Sequence, residues 1–190
     1  MTRTVGVVLA GGLSRRFGSP KAFAKLGERY FYEIAKEALE AQCDEVIVVT
    51  RQELLAQFPA NVNGMIDIME YKGLGPLAGI LSAMESVEAD RYIVLPCDMP
   101  YVDDEVVEKL LAQHQQGVTA VITDGRHHPL VSVWDGYVKS HLREALDNGQ
   151  LRVMEVLSRS GVIWIEGSLL VDDVKRVFTN VNTPEVLERN

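Results

Sequence analysis

Thr4 to Leu9 (TVGVVL) is an unbroken run of small and β-branched residues, closed by the glycine pair Gly11-Gly12. A run so short, with no polar position at helical spacing, reads as a strand buried on both faces. Such a strand needs cover on each side, and the following sequence supplies it. From Glu28 to Ala41 the apolar residues Phe31, Ile34, Ala35, Ala38 and Leu39 recur at three and four, the spacing of an amphipathic helix. Glu45 to Thr50 (EVIVVT) returns to strand, Gly75 to Val87 to helix, Arg91 to Leu95 (RYIVL) to strand and Asp103 to Gln116 to helix. That alternation predicts an α/β chain with right-handed crossovers and a mostly parallel sheet covered on both faces. Further along, Val118 to Ile122, Leu130 to Val133 and Val162 to Ile165 read as strands, and Tyr137 to Leu146 and Arg152 to Ser158 as helices. Thr183-Pro184-Glu185 has the capping hydroxyl, proline and acid that open a short final helix. With 190 residues and no linker, repeat or low-complexity stretch, the chain reads as one domain over residues 1–190.

Composition excludes several classes of function. A net charge of -8 disfavours nucleic-acid binding through a broad basic surface, so an anionic substrate must be gripped by local cations. No apolar stretch approaches the roughly 20 residues of a membrane span. The N-terminus enters a strand directly, without the three regions of a signal peptide, and a cytoplasmic location is expected. Two cysteines, Cys43 and Cys97, form neither a disulfide framework nor a CxxC pair. His114, His127, His128 and His141 lack zinc-ligand spacing.

The segment Leu9-Ala10-Gly11-Gly12-Leu13-Ser14-Arg15-Arg16-Phe17-Gly18-Ser19-Pro20-Lys21 follows the first strand directly. Glycines let backbone amides converge on one cavity, and Arg15, Arg16 and Lys21 add positive charge at the edge where open α/β sheets bind ligands. A phosphate site is the natural reading, against that of a solvated turn with three exposed cations. Two familiar loops fail on spacing. A Walker loop needs GK[ST] after four intervening residues, and the dinucleotide fingerprint needs G-x-G-x-x-G, whereas the glycines here stand at 11, 12 and 18.

Asp98, in the turn Pro96-Cys97-Asp98-Met99-Pro100 after a buried strand, should share that edge. A carboxylate beside phosphates is repulsive unless a divalent cation bridges them, and Mg²⁺ favours one or two carboxylates with phosphate oxygens. The same turn would also suit a capping aspartate, and the glycine loop tips the choice toward a metal ligand. Gly73-Leu74-Gly75-Pro76-Leu77-Ala78-Gly79 opens a helix with small residues, which admits either a ligand or tight packing on the sheet. Asp67, near the end of the preceding strand, binds a ribose or base, or simply ends the strand.

Together, LAGGLSRRFGSPK (9–21), GPLAGI (75–80), PCDMP (96–100), RHHPL (126–130) and NVNTPEVL (180–187) resemble the molybdenum cofactor guanylyltransferase family over nearly the whole chain. The first and third motifs belong to many nucleotidyltransferases, and the combination of GPLAG with NVNTPE narrows the resemblance to this family. The resemblance implies a Rossmann-like three-layer sandwich that transfers GMP from GTP to the terminal phosphate of Mo-molybdopterin, with release of pyrophosphate and with Mg²⁺ as cofactor. By position it implies that Leu9, Ala10 and Gly11 hold the nucleotide through backbone groups, that Lys21 holds the triphosphate, and that Asp98 holds both nucleotide and metal. Arg15 assists at the phosphates. Asp67 corresponds to a nucleotide-contacting aspartate once one residue is inserted before GPLAG. Arg152, Asn180 and Asn182 match positions on the pterin side, and His128 lines the same pocket. The family's contact near the second strand, where Thr50-Arg51 stands, stays unassigned.

In that chemistry the acceptor phosphate attacks the α-phosphorus in line, and the chief task is to neutralise two anions that repel each other. An acceptor phosphate is already ionised, so no general base is required. Alternatives are the cytidylyltransferase that uses CTP, sugar or isoprenoid nucleotidyltransferases, and a non-catalytic nucleotide- or pterin-binding adaptor. Lys21 and Asp98 together argue against the adaptor. A molybdopterin-inserting enzyme or molybdoenzyme chaperone is the expected protein partner.

Overall fold

The computed structural model describes residues 1–14 and 17–183. The first half runs β1 (Thr4–Leu9), a small hairpin of β2 (Lys25–Leu26) and β3 (Arg29–Tyr30), α1 (Phe31–Glu40), β4 (Glu45–Thr50), α2 (Gln52–Leu55), β5 (Gly64–Ile66), α3 (Pro76–Ser86), β6 (Arg91–Pro96) and α4 (Asp104–Gln113). The second half runs β7 (Val118–Thr123), β8 (Arg126–Asp135), α5 (Lys139–Asp147), α6 (Val153–Arg159), β9 (Ile163–Glu166) and α7 (Val174–Val177). Seven strands form one sheet in the order β5-β4-β1-β6-β8-β7-β9. Within this sheet every pairing that does not involve β8 is parallel, and β8 runs against both neighbours. The result is the mostly parallel α/β sheet that the strand–helix alternation predicts, in the Rossmann-like three-layer form that the resemblance implies.

Two apolar layers hold the helices to the sheet. Val5 and Val7 of β1 pack with Leu77, Ile80, Leu81 and Met84 of α3, in a layer that also takes Leu142 of α5 and Leu157 of α6. Val8 points the other way, into a layer with Phe31, Ala35 and Leu39 of α1 and Val107 and Leu110 of α4. Burial on both faces explains why β1 shows no polar alternation, and each such side chain contributes about 1.5–3 kcal/mol. Gly6 is a close-approach position: a Cβ there would lie 3.0 Å from Leu39 Cβ and 3.1 Å from Val46 Cγ2.

The structure departs from the sequence expectations in informative places. The helix expected from Glu28 starts at Phe31, because Gly27 (φ +63°) turns the chain between β2 and β3 first. The strand expected at Leu130 to Val133 is longer. Asp124 (φ +47°) and Gly125 (φ +78°) form a tight two-residue turn, and β8 begins at Arg126 as the second arm of a hairpin with β7. Register then shifts at Ala120/Val121, whose partners are Ser132 and His128. Pro129 falls in the intervening bulge, where its missing N–H costs no ladder bond. Pro184 and Glu185, the expected opening of a final helix, lie outside the described residues.

Chain direction locates the ligand-binding edge. From β1 the connection through α1 leads to β4 on one side, whereas β6 and its successors lie on the other. The strand order therefore reverses between β1 and β6, and open α/β sheets bind ligands outside the C-terminal ends of strands at such a switch point. The glycine-rich loop leaves β1 there, and the Asp98 turn leaves β6 beside it.

Candidate active site

The glycine-rich loop is tied at both ends. Ala10 N–H donates to Val49 O at 2.8 Å, and Cys97 N–H donates to Leu9 O at 3.1 Å, so the start of the loop is stitched to β4 and to the Asp98 turn. Further on, the Ser14 hydroxyl accepts from Lys21 N–H at 3.0 Å and donates to Gly12 O at 3.3 Å. Among the described residues no backbone carbonyl accepts from the amides of Gly11, Gly12 or Leu13. These amides remain available to an anion. Arg15 and Arg16 lie outside the described residues.

Lys21 opens a single 3-10 turn, Lys21–Phe23, and reaches Asp98. Its Nζ donates to Asp98 Oδ2 at 3.0 Å and to Asn182 Oδ1 at 2.7 Å. Asp98 Oδ1 accepts from Asn180 Nδ2 at 3.2 Å, and Val181 N–H donates to Asp98 O at 2.8 Å. The C-terminal segment after α7 docks through Phe178 and Val181 into the α1–α4 layer, and so carries Asn180 and Asn182 to the β6 edge. Lys21, Asp98, Asn180 and Asn182 thus meet in one hydrogen-bonded cluster. The side chains of Lys21 and Asp98 are 14% and 22% exposed, so the pair is shielded yet reachable by a ligand.

The remaining expected residues are distributed around this cluster. Asp67 accepts from Gly73 N–H at 3.0 Å through Oδ2, and burial raises its carboxyl above the usual carboxylate range while the Gly73 bond and Lys72 oppose the rise. Its Oδ1 stands 3.7 Å from the position of a Cβ on Gly79, which itself would crowd Leu9 and Val49 at 3.2 and 3.3 Å. Gly79 therefore serves close helix-on-sheet packing, and Asp67 sits beside the ends of β1 and β4. Arg152 caps α6 and is 83% exposed, with its guanidinium on Glu155 at 3.1 Å rather than on the cluster. His128 is buried, shares a 2.7 Å hydrogen bond with Thr123 Oγ1, and packs at 5.4 Å against the Phe178 ring. Burial, with smaller contributions from Arg126 and His127, lowers its pKa to about 4. The imidazole is neutral at pH 7 and anchors the start of β8 to the C-terminal segment.

Two residues that the sequence names without assigning a role stand at this edge. Arg126, the first residue of β8, donates from NH2 to Asn180 Oδ1 at 2.9 Å and so joins the cluster. The Asp124-Gly125 hairpin turn was the available signal, since it carries the next residue back to the sheet edge. Arg51, at the end of β4, packs its Cγ 3.6 Å from the position of a Cβ on Gly11, and its Nε is buried with no partner among the described residues. Cys97, next to Asp98, is no nucleophile, because burial pushes its thiol up to about 12. No helix among the described residues is long and apolar enough to cross a membrane.

Two anions can be held together at such an edge, one by loop amides and one by side-chain cations. That is the geometry of a nucleotidyltransferase, and comparison with known proteins agrees. The MobA-like NTP transferase domain matches residues 6–161. A sequence from Geobacillus sp. (strain WCH70) named "probable molybdenum cofactor guanylyltransferase" is 38% identical over 97% of this chain and 96% of its own. One from Bacillus licheniformis with the same name is 38% identical over 98% and 95%. The crystal structure of molybdopterin-guanine dinucleotide biosynthesis protein A from Archaeoglobus fulgidus superposes with a TM-score of 0.80 at 26% identity, covering 97% of this chain and 95% of that one. The chain belongs to the MobA-like NTP transferase family, within it to the molybdenum cofactor guanylyltransferases, and is an enzyme.

Proposed function

We propose that this enzyme transfers GMP from GTP to the terminal phosphate of Mo-molybdopterin, and that the chain acts as one nucleotidyltransferase domain. An acceptor phosphate oxygen forms a bond to the α-phosphorus of GTP while the bond to the β-phosphate oxygen breaks, and pyrophosphate leaves. The observation that carries this reading is the Lys21–Asp98 pair, braced by Asn182 and Asn180 at the switch point where the glycine-rich loop begins.

In this reading the backbone of Leu9, Ala10 and Gly11 orients the nucleotide, and Asp67 contacts its ribose or base. Lys21 turns from Asp98 toward the triphosphate when GTP arrives and, with Arg15, offsets charge on the transferred and leaving oxygens. Asn180, Asn182 and Arg152 bind the acceptor, and His128 shapes that side from behind the surface. Among the described residues no set of three or more His, Cys, Asp or Glu forms a metal cage. A lone, partly shielded carboxylate fits a Mg²⁺ that takes its remaining ligands from phosphate and water, and Asp98 would hold it. Mg²⁺ would supply neutralisation of phosphate charge. Two free thiols suit a reducing compartment such as the cytoplasm, and a molybdopterin-inserting enzyme or molybdoenzyme chaperone would receive the product.

A thermal-shift panel of GTP, CTP, ATP and UTP, with and without Mg²⁺, tests the reading on wild type and Asp98→Ala, because a ligand of the native state raises Tm. The expected result is a GTP-selective rise that Mg²⁺ enhances in wild type and not in Asp98→Ala. Selectivity for CTP, or no response to any nucleotide, would reject the GTP assignment.

A further inference from the structure

We propose that Arg126 is a positioning residue, which fixes the side-chain amide of Asn180 and through it the carboxylate of Asp98; the use to which that carboxylate is put rests on the guanylyltransferase reading. The cluster is a chain of five groups: Arg126 to Asn180 Oδ1 at 2.9 Å, Asn180 Nδ2 to Asp98 Oδ1 at 3.2 Å, and Lys21 Nζ to both Asp98 Oδ2 at 3.0 Å and Asn182 Oδ1 at 2.7 Å. A carboxamide can present either oxygen or NH₂ in a given direction, so its neighbours decide. Arginine and lysine only donate, and an ionised carboxylate only accepts. The observed orientation of Asn180 satisfies both neighbours. The reverse would set C=O against carboxylate and NH₂ against guanidinium.

Arg126 is placed for this by local sequence. The Asp124-Gly125 turn returns the chain as β8, whose first residue stands beside the C-terminal segment that carries Asn180. With both amide ends engaged, Asn180 cannot rotate away, and Asp98 Oδ1 keeps a fixed donor while Oδ2 faces Lys21. Without Arg126, Asn180 keeps one bond only, and turning over or swinging out becomes easy. Arg126 is exposed and its removal leaves no buried orphan, so the fold should be indifferent to it.

Two measurements decide the proposal. In ¹⁵N spectra of the free protein, with the Asn180 side-chain NH₂ assigned through Asn180→Ala, wild type should give a protected, widely split proton pair. Arg126→Ala should move that pair toward the position and fast exchange of a free amide, and Arg126→Lys should restore part of the protection. In pyrophosphate release from GTP with Mo-molybdopterin, Arg126→Ala and Asn180→Ala should each lower kcat on the order of tenfold, the effect of one hydrogen bond to a charged group. The double variant should be no slower than Asn180→Ala. An unchanged Asn180 signal in Arg126→Ala, or a double variant slowed by the product of the two single losses, would overturn the proposal. Because the spectrum needs no substrate, it decides the role of Arg126 even if wild type fails to turn over and the guanylyltransferase reading falls.

Discussion

Replacing Lys21 with Met keeps most of the length of the side chain and removes its charge, which separates the structural from the chemical use of the cluster. In the free enzyme Lys21 satisfies Asp98 Oδ2 and Asn182 Oδ1 together. Removing one partner of a fully buried ion pair costs about 3–5 kcal/mol. With side chains 14% and 22% exposed, water can reach the orphaned groups, and about 2 kcal/mol is the expected loss here. At about 2–4 °C per kcal/mol for a chain of this size, Tm should fall by about 4–8 °C. Adding Asp98→Asn removes the unpaired charge and should recover at least half of that fall. Activity should behave differently. Lys21→Met should lower kcat by about 10²–10³-fold, the usual cost of losing one group aimed at developing charge, and Asp98→Asn should deepen that loss. Urea or thermal unfolding with pyrophosphate release on the four proteins forms the assay. Equal and additive Tm losses for the two single changes, with no recovery in the double, would refute the coupling.

Two further predictions concern the frame around the site. His128 titrates near 6.5 in the unfolded chain and near 4 in the fold, so stability that is complete above pH 6.5 is lost as pH falls toward 4. At about 1.36 kcal/mol per pH unit the window is worth about 3 kcal/mol, and His128→Gln should flatten the fall in unfolding free energy between pH 7 and 4.5; equal slopes in both proteins would contradict it. At Gly136 a Cβ would lie 2.3 Å from Ala89 O, a backbone atom that cannot swing aside. Gly136→Ala should therefore cost about 3 kcal/mol or more, read as a lowered urea midpoint, and near-wild-type stability would show that the β8–α5 corner yields more than its packing implies.

Much of the frame was legible because burial on two faces leaves so plain a signature. β1 and β4 carry the expected bounds, since a parallel strand sealed by helices has no polar positions to blur its ends. β8 reads shorter in the sequence than it is, for a physical reason. Pro129 and the polar pair His127-His128 hide a strand that a bulge and a two-residue turn make possible. The start of α1 is not legible, because Glu28 and Arg29 suit a helix as well as the hairpin that Gly27 imposes. Lys21, Asp98, Asn180 and Asn182 were singled out as motif letters, but their meeting was not readable. It depends on the order β1-β6 and on a C-terminal segment 161 residues from Lys21 docking beside Asp98. His128 reads in sequence like a pocket residue, and only packing against Phe178 reveals it as buried. Arg126 opens the RHHPL motif, but nothing in those letters gives it a role, and its part in the cluster exists only through the partner it meets.

The most direct test of guanylyl transfer is to follow the label. Purified enzyme is incubated with Mo-molybdopterin, Mg²⁺ and GTP labelled at the α-phosphorus, with CTP in parallel, and the pterin product is isolated for mass and label. The expected result is α-label in a pterin heavier by one GMP unit, one pyrophosphate released per product, little product from CTP, and none from Asp98→Ala. Label retained in free nucleotide, or a pterin carrying CMP instead of GMP, would contradict it.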